Sequence, residues 1–205
     1  MRNVMNKVVM AVGAVMMSAS VASAQFNFTG RTDGCFYVIG DPNFCQPMAA
    51  ASNGNLIFAG STFNEAAIGG VASFNTADVN LGRFTLGSGE YSYNGLGFIL
   101  AVTVTSPTAA TGAFTSFLTG QVGVVNGNNT SSVFVDFGSN EWTSLLPQSA
   151  GVDARLTDLA VQIGQANYVN GQLRANVVPE PSTYALMGTG LLGLAGFARR
   201  RRATA

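Results

Sequence analysis

The body of this chain reads as all-β: an antiparallel β-sandwich or jelly-roll-like single domain. Three observations carry that reading. Asn-Gly occurs at Asn53-Gly54, Asn94-Gly95, Asn126-Gly127 and Asn170-Gly171, and this dipeptide is the strongest short hairpin signal because tight hairpin turns need residues that tolerate positive φ. Around these turns lie Leu56 to Ala59, Leu81 to Leu86, Phe98 to Thr105, Val133 to Phe137 and Leu159 to Ile163. These short runs are rich in the β-branched and aromatic side chains that fit a pleated surface. No long amphipathic helical pattern separates them. Evenly spread strands of this kind bury one face of each sheet against a common core, and the chain's 14 Phe supply the volume.

In chain order, the first 24 residues carry the marks of a secretory signal peptide. Arg2 and Lys7 precede the apolar run from Val8 to Met17, and Ala22-Ser23-Ala24 provides the small residues of a signal-peptidase site at Ala22 and Ala24. Cleavage there makes Gln25 the mature N-terminus. An export route carries Cys35 and Cys45 into an oxidising compartment, where a disulfide is the default. The Cys-x-x-Cys spacing of redox-active pairs is not present.

The extracellular domain spans residues 25–176. The chain's net charge of zero averages over unlike parts. Between Gln25 and Val178 the cations are Arg31, Arg83, Arg155 and Arg174, against nine Asp and Glu, a net of −5. With no lysine and no basic patch, this body has no means of neutralising phosphates, so nucleic acid is not an expected partner. "GQVGVVNG" from Gly120 and "GQANYVNG" from Gly164 share five of eight positions. Two copies read as one hairpin solution used twice, not as a repeat architecture.

Chemistry is scarce. The chain has no histidine, and its one lysine, Lys7, lies in the leader. Ser-His-Asp, Cys-His and Ser-Lys systems and imidazole metal sites are therefore excluded. Neither a G-x-S-x-G elbow nor an EF-hand loop is present. We expect no cofactor and no enzymatic activity. Asp136 with Glu141 is the carboxylate pair a glycoside hydrolase would need, and such acids are ordinarily surface charges. A carbohydrate-binding module is the alternative reading, through exposed rings such as Trp142, Tyr91 or Tyr93. Asn27-Phe28-Thr29, Asn128-Asn129-Thr130 and Asn129-Thr130-Ser131 match the N-glycosylation pattern, which matters only where the host has the transferase.

The tail, residues 177–205, contains a G-x-G-x-x-G match at Gly188, Gly190 and Gly193. A dinucleotide site would need a strand before the glycines and an acidic residue about 20 positions beyond, and neither is available. A membrane segment fits better. Ala185 to Ala198 carries no charge and spans about 21 Å as a helix, or about 26 Å counted from Ser182, against about 30 Å of hydrocarbon. A short transmembrane helix over 182–198, with snorkelling arginines at its end, covers that thickness. Arg199, Arg200, Arg201 and Arg202 then form a stop signal that stays cytoplasmic.

Pro179-Glu180-Pro181, the apolar run and the four arginines together resemble the PEP-CTERM sorting signal of Gram-negative bacteria. The resemblance is confined to this tail. It implies recognition at Pro179, Glu180 and Pro181 by an exosortase, a membrane-embedded cysteine protease, after signal peptidase has acted. Release follows, after a transient stay in the inner membrane, to the cell surface or medium. It also implies association with exopolysaccharide and biofilm. The two prolines bar helix and keep the recognition segment extended. We therefore expect a non-enzymatic structural or adhesive component of an exopolysaccharide matrix. A permanently anchored surface protein is the competing reading of the same tail.

Overall fold

The computed structural model describes residues 26–40, 45–125, 128–138 and 140–176, together with Gly188, Gly190 and Leu191 of the tail. The signal peptide with Ala22 and Ala24 lies outside the described residues. So do Pro179, Glu180, Pro181 and Arg199 to Arg202, and all of the expected 182–198 helix but those three residues.

The strands are β1 (Asn27–Val38), β2 (Ala50–Asn53), β3 (Leu56–Ala59), β4 (Thr62–Ala66), β5 (Val71–Phe74), β6 (Arg83–Leu86), β7 (Tyr91–Ser92) and β8 (Leu96–Ser106). They continue with β9 (Ala110–Val125), β10 (Asn128–Asp136), β11 (Thr143–Ser144), β12 (Val152–Leu156), β13 (Leu159–Gln162), β14 (Ala166–Tyr168) and β15 (Gly171–Ala175). The fold is all-β, as the sequence predicts. Its strands assort into three antiparallel sheets: a large one ordered β13-β10-β9-β8-β1-β4 with β7 beside β9, and two four-stranded ones ordered β11-β12-β15-β5 and β14-β6-β3-β2.

Long strands join the sheets by changing partners along their length. One edge of β1 takes β4 over Asn27 to Arg31. Further along, Gly34 exchanges two backbone bonds, of 2.8 and 2.9 Å, with Met48 on the way into β2. β9 pairs with β8 from Ala110 to Leu118 and with β10 from Phe117 to Val125. Its Thr111 also exchanges two 2.7 Å bonds with Leu146, just after β11. The edges that would otherwise leave N–H and C=O groups unpaired are thereby shared between sheets.

All three sheets feed one core. Where β8 lies on β9, Leu96, Phe98, Leu100, Val102 and Val104 face inward, following the period of two that a pleated strand imposes. The centre is aromatic. Phe58 of β3 and Phe84 of β6 meet Phe98 of β8 with ring centroids 4.8 and 4.9 Å apart, and Phe36 of β1 lies 5.1 Å from Phe98. The tilted and edge-on geometries are those that ring quadrupoles prefer, each pair contributing about 0.5–1.5 kcal/mol beyond burial. Two glycines make the room. A Cβ at Gly34 would lie 2.5 Å from the Phe98 ring and 2.6 Å from Phe58, and one at Gly82 would lie 2.5 Å from Phe58. Gly82 also holds φ of 118°, where other residues are strained.

Cys35, on the opposite face of β1 from Gly34, is disulfide-bonded to Cys45. Beyond this pair, the Asn-Gly signals differ in what they build. Asn53 closes the β2–β3 hairpin with Gly54 and Asn55 as its loop, since Asn53 pairs with Leu56. Asn94-Gly95 is the centre of a turn closed by Leu96 N–H to the Tyr93 carbonyl. Asn170-Gly171 is no hairpin turn. It carries the chain from β14, paired with β6, to β15, paired with β12 and β5. The two near-repeat segments accordingly serve different purposes, one ending a hairpin strand and the other crossing between sheets.

Two outcomes follow for stability. Phe58→Ala empties the centre of the ring cluster and should cost about 3–5 kcal/mol; Gly34→Ala forces methyl against two rings and should cost about 1–3 kcal/mol. Urea unfolding of the mature protein measures both, and near-wild-type midpoints would refute the packing described. The Cys35 and Cys45 thiols should resist alkylation until reduced, and reduction should remove about 2–3 kcal/mol, the worth of so short a loop.

Candidate functional site

The aromatic residues named from the sequence divide sharply. Tyr93 is 0% exposed, and its phenolic oxygen accepts the Asn55 N–H at 3.2 Å. Tyr91 packs at 4.8 Å from it, donates its hydroxyl to Asn53 Oδ1 at 2.7 Å, and lays its ring on the Gly54 turn. Both therefore pin the β2–β3 hairpin. Burial raises the Tyr93 phenol above its ordinary value, the Asn55 and Leu56 amides opposing and Tyr91 adding to the rise.

Trp142 is different. It precedes β11 and is half-buried, with the Arg174 guanidinium 4.4 Å and that of Arg155 5.0 Å from the ring centroid. Half of the body's four cations thus converge on the chain's one tryptophan, at the cation–π distance that favours them. They lie on the outward face of the β11-β12-β15-β5 sheet, in two cross-strand rows. In the first, Ser144 donates to Asp153 Oδ1 at 2.7 Å, and Arg174 Nε donates to Asp153 Oδ2 at 2.8 Å. Asp153 is only 5% exposed, so this carboxylate is buried with its charge paired, as burial demands. In the second row, Arg155 donates to Gln172 Oε1, and Gln172 Nε2 donates to Ser73 Oγ at 3.2 Å.

Beside that second row lies an open cleft of about 230 Å³. Arg155, Gln172, Ser73, Asn140, Thr157 and Asn170 supply its polar groups, and its lining contains no carboxylate. Sequence reading picked out Trp142 but not this lining. Its residues come from β5, β12, β15 and their connections, so no local motif marks them.

The two acids of the Asp136–Glu141 pair differ in exposure, Asp136 being partly buried and Glu141 exposed. Asp136 Oδ1 accepts the Gly138 N–H at 2.7 Å, closing a turn, and Glu141 is exposed. Asn27 of the first glycosylation match is exposed and bonded to Asn64 at 2.9 Å. Among the described residues there is no cluster of His, Cys, Asp and Glu that could hold a metal ion, and no helix long and apolar enough to cross a membrane.

Fold and site thus define a disulfide-linked all-β domain with one aromatic–guanidinium platform on its surface. The tail supplies the next step of assignment. A family model, the PEP-CTERM protein-sorting motif, matches residues 177–202. The match is confined to the tail, and it supports an exported protein sorted by an exosortase toward the cell surface. No curated protein and no solved structure matches the chain.

Tyr93 gives a pH test of the hairpin contacts. Its neutral form is favoured in the fold, so its contribution is intact below the unfolded value of about 10 and is lost as pH rises through that value toward the higher folded one. Tyr93→Phe should flatten this alkaline loss, while costing about 1–3 kcal/mol at neutral pH by leaving the Asn55 N–H without its acceptor. Urea midpoints at neutral and alkaline pH read both effects; an unchanged alkaline slope would exclude Tyr93 as the source.

Proposed function

We propose that the protein is a non-enzymatic structural or adhesive component of an exopolysaccharide matrix, handled during export by signal peptidase and then by exosortase. The observation that carries this reading is the sorting motif at residues 177–202 following directly on a β domain that ends at Ala175. Such a tail gives the enzyme what cleavage needs: an extended Pro-Glu-Pro segment, a short apolar anchor and a cationic stop that resists translocation. The body adds support from its chemistry. It has no histidine or lysine, it is stapled by a disulfide, and its mildly acidic, hydroxyl- and amide-rich surface suits a solvated exterior. A carbohydrate-binding role is the second reading, and the Trp142–Arg155 platform with its polar cleft is what favours it.

Mass spectrometry of protein from the producing strain separates sorting from permanent anchoring. The mature chain should begin at Gln25 and lack Arg199 to Arg202. Changing Pro179 and Pro181 to Ala leaves the apolar span intact but lets helix extend through the recognition segment, so that variant should stay uncleaved and membrane-retained. Surface protein that keeps its arginines, or normal processing of the proline variant, would overturn the proposal.

A further inference from the structure

The solvent-facing side of the large sheet carries aromatic rings that the core does not use. Among the described residues, every Phe but two lies in the core or packs against it. The two are Phe117 of β9 and Phe134 of β10, 53% and 42% exposed. Phe117 pairs with Asp136 and Phe134 with Thr119, so the two rings are diagonal neighbours on one face. Tyr37 extends the row. It pairs with Gly97 of β8, which pairs in turn with Phe117. A Cβ at Gly97 would lie 2.2 Å from Tyr37 Cζ, so the phenol ring occupies the place that a side chain on β8 would fill. Tyr37 and Phe117 stand two strand spacings apart, about 9.6 Å.

The ground around these rings is neutral. Ala113, Thr115, Thr119, Ser132 and Ala160 are exposed on the same face. Beside Phe134 lies an open cleft of about 310 Å³, its other lining supplied by Asn94, Thr119, Gly120, Gln121 and Ser132. Asn94 Oδ1 accepts the Gly120 N–H at 3.0 Å, which fixes the amide and leaves its NH2 end as the group that donates. Arg31, which the register puts on this face opposite Thr103, is paired with Asp33 at 3.3 Å. The charges that border the rings are acidic: Asp136 opposite Phe117, and Glu90, which lies against Gly123 of β9.

This combination selects among occupants. A polyanion or an anionic membrane would meet Asp136 and Glu90 with no unpaired cation to offset them. A second copy laid face to face would bring those acids together and strip water from the hydroxyls of Thr115, Thr119 and Ser132. A neutral sugar chain suits every part. The apolar C–H faces of its rings cover aromatic rings, and its hydroxyls exchange bonds with Thr, Ser and Asn side chains. The repeat of an extended glycan is close to one strand spacing, about 4.8 Å, so sugars along one chain meet successive rings of the row. We infer that the outward face of the large sheet binds a neutral, extended polysaccharide laid across the strands, with sugar rings on Tyr37, Phe117 and Phe134. The inference deepens the carbohydrate-binding reading, on which it rests for the source of the ligand, and gives it a surface separate from Trp142.

Calorimetric titration of the mature protein with cellohexaose and xylohexaose, two neutral extended probes, tests it, with oligogalacturonate as the acidic comparison. A neutral probe should bind with an affinity that salt leaves unchanged, and the acidic one at least about tenfold less tightly. Phe117→Ala and Phe134→Ala should each weaken binding about tenfold or more, the scale of an aromatic anchor, while Trp142→Ala should leave it unchanged. Both Phe side chains are exposed, so the urea midpoints of these variants should stay near wild type. On the wild-type protein, independent of any variant's folding, the neutral probe should shift the NMR signals of Phe117, Thr119 and Phe134. No binding of either neutral probe, tighter binding of the acidic one, full affinity in both Phe variants, or shifts elsewhere only would overturn the inference. So would a concentration-dependent dimer in sedimentation that Phe117→Ala dissolves, which would give the face to a second copy. Neutral-probe binding that Trp142→Ala abolishes and the Phe variants leave intact would overturn this face while keeping the carbohydrate reading. None of these results touches tail processing, so the sorting reading is judged separately.

Discussion

The packing of Phe58 is the contact on which the joining of the large sheet to the β14-β6-β3-β2 sheet depends. The ring comes from β3, yet it is bounded by Gly82 beside β6 and by Gly34 and Phe98 of the large sheet. Two sheets can approach only as closely as their inner side chains permit, and here a large residue is accommodated by deleting two small ones. Other joints then become affordable. With β1 drawn in at Gly34, Met48 reaches it for two backbone bonds, and Cys45 comes within disulfide reach of Cys35, at a Cα separation of 5.8 Å.

How much of this was legible in the sequence varies with how locally each feature is encoded. β3 falls on Leu56–Ala59 as predicted, and β6, β8, β10 and β13 overlap the predicted runs with shifted ends. The longest strand was missed. Along β9 the inward positions include Gly112, Ser116 and Gly120 while Phe117 points outward and is exposed, so the alternation is one of burial and not of hydrophobicity. Gly112 is small because the Leu145 side chain would lie 2.4 Å from its Cβ, and Ser116 is tolerated because its hydroxyl donates to the Phe98 carbonyl at 3.1 Å. Those reasons live in other strands. The partner changes of β1 and β9, which give three sheets where the strand count read as a sandwich, are equally nonlocal.

The site shows the same division. The tail motif is a contiguous string and was readable outright; the cleft is assembled from residues separated by up to about a hundred positions, as the Ser73–Gln172 bond shows. Tyr91, Tyr93 and Trp142 are alike as letters, and only packing separates two hairpin supports from a ring flanked by guanidiniums. Asn170-Gly171 is the sharpest case. Hairpin chemistry predicts a turn there, but Gly171 is needed because a Cβ would lie 2.6 Å from the Arg155 carbonyl, and the asparagine before it becomes a cleft wall.

The sorting motif begins two residues beyond the last strand. β15 ends at Ala175, whose register with Val152 is fixed, and the next strand residue inward, Arg174, is tied to a buried Asp153. Pro179 follows four residues after Ala175, at most about 14 Å of extended chain. The sorting step proposed above would therefore take place within a few residues of a folded strand. The charges of body and tail bear on that step. The body is net acidic without a lysine, so an anionic membrane surface repels it over about a Debye length, while the four arginines of the tail carry the opposite sign. On the processing proposed above, cleavage at Pro-Glu-Pro would remove those arginines and leave the net acidic body, so the segregation of charge along the chain would itself favour separation from an anionic membrane.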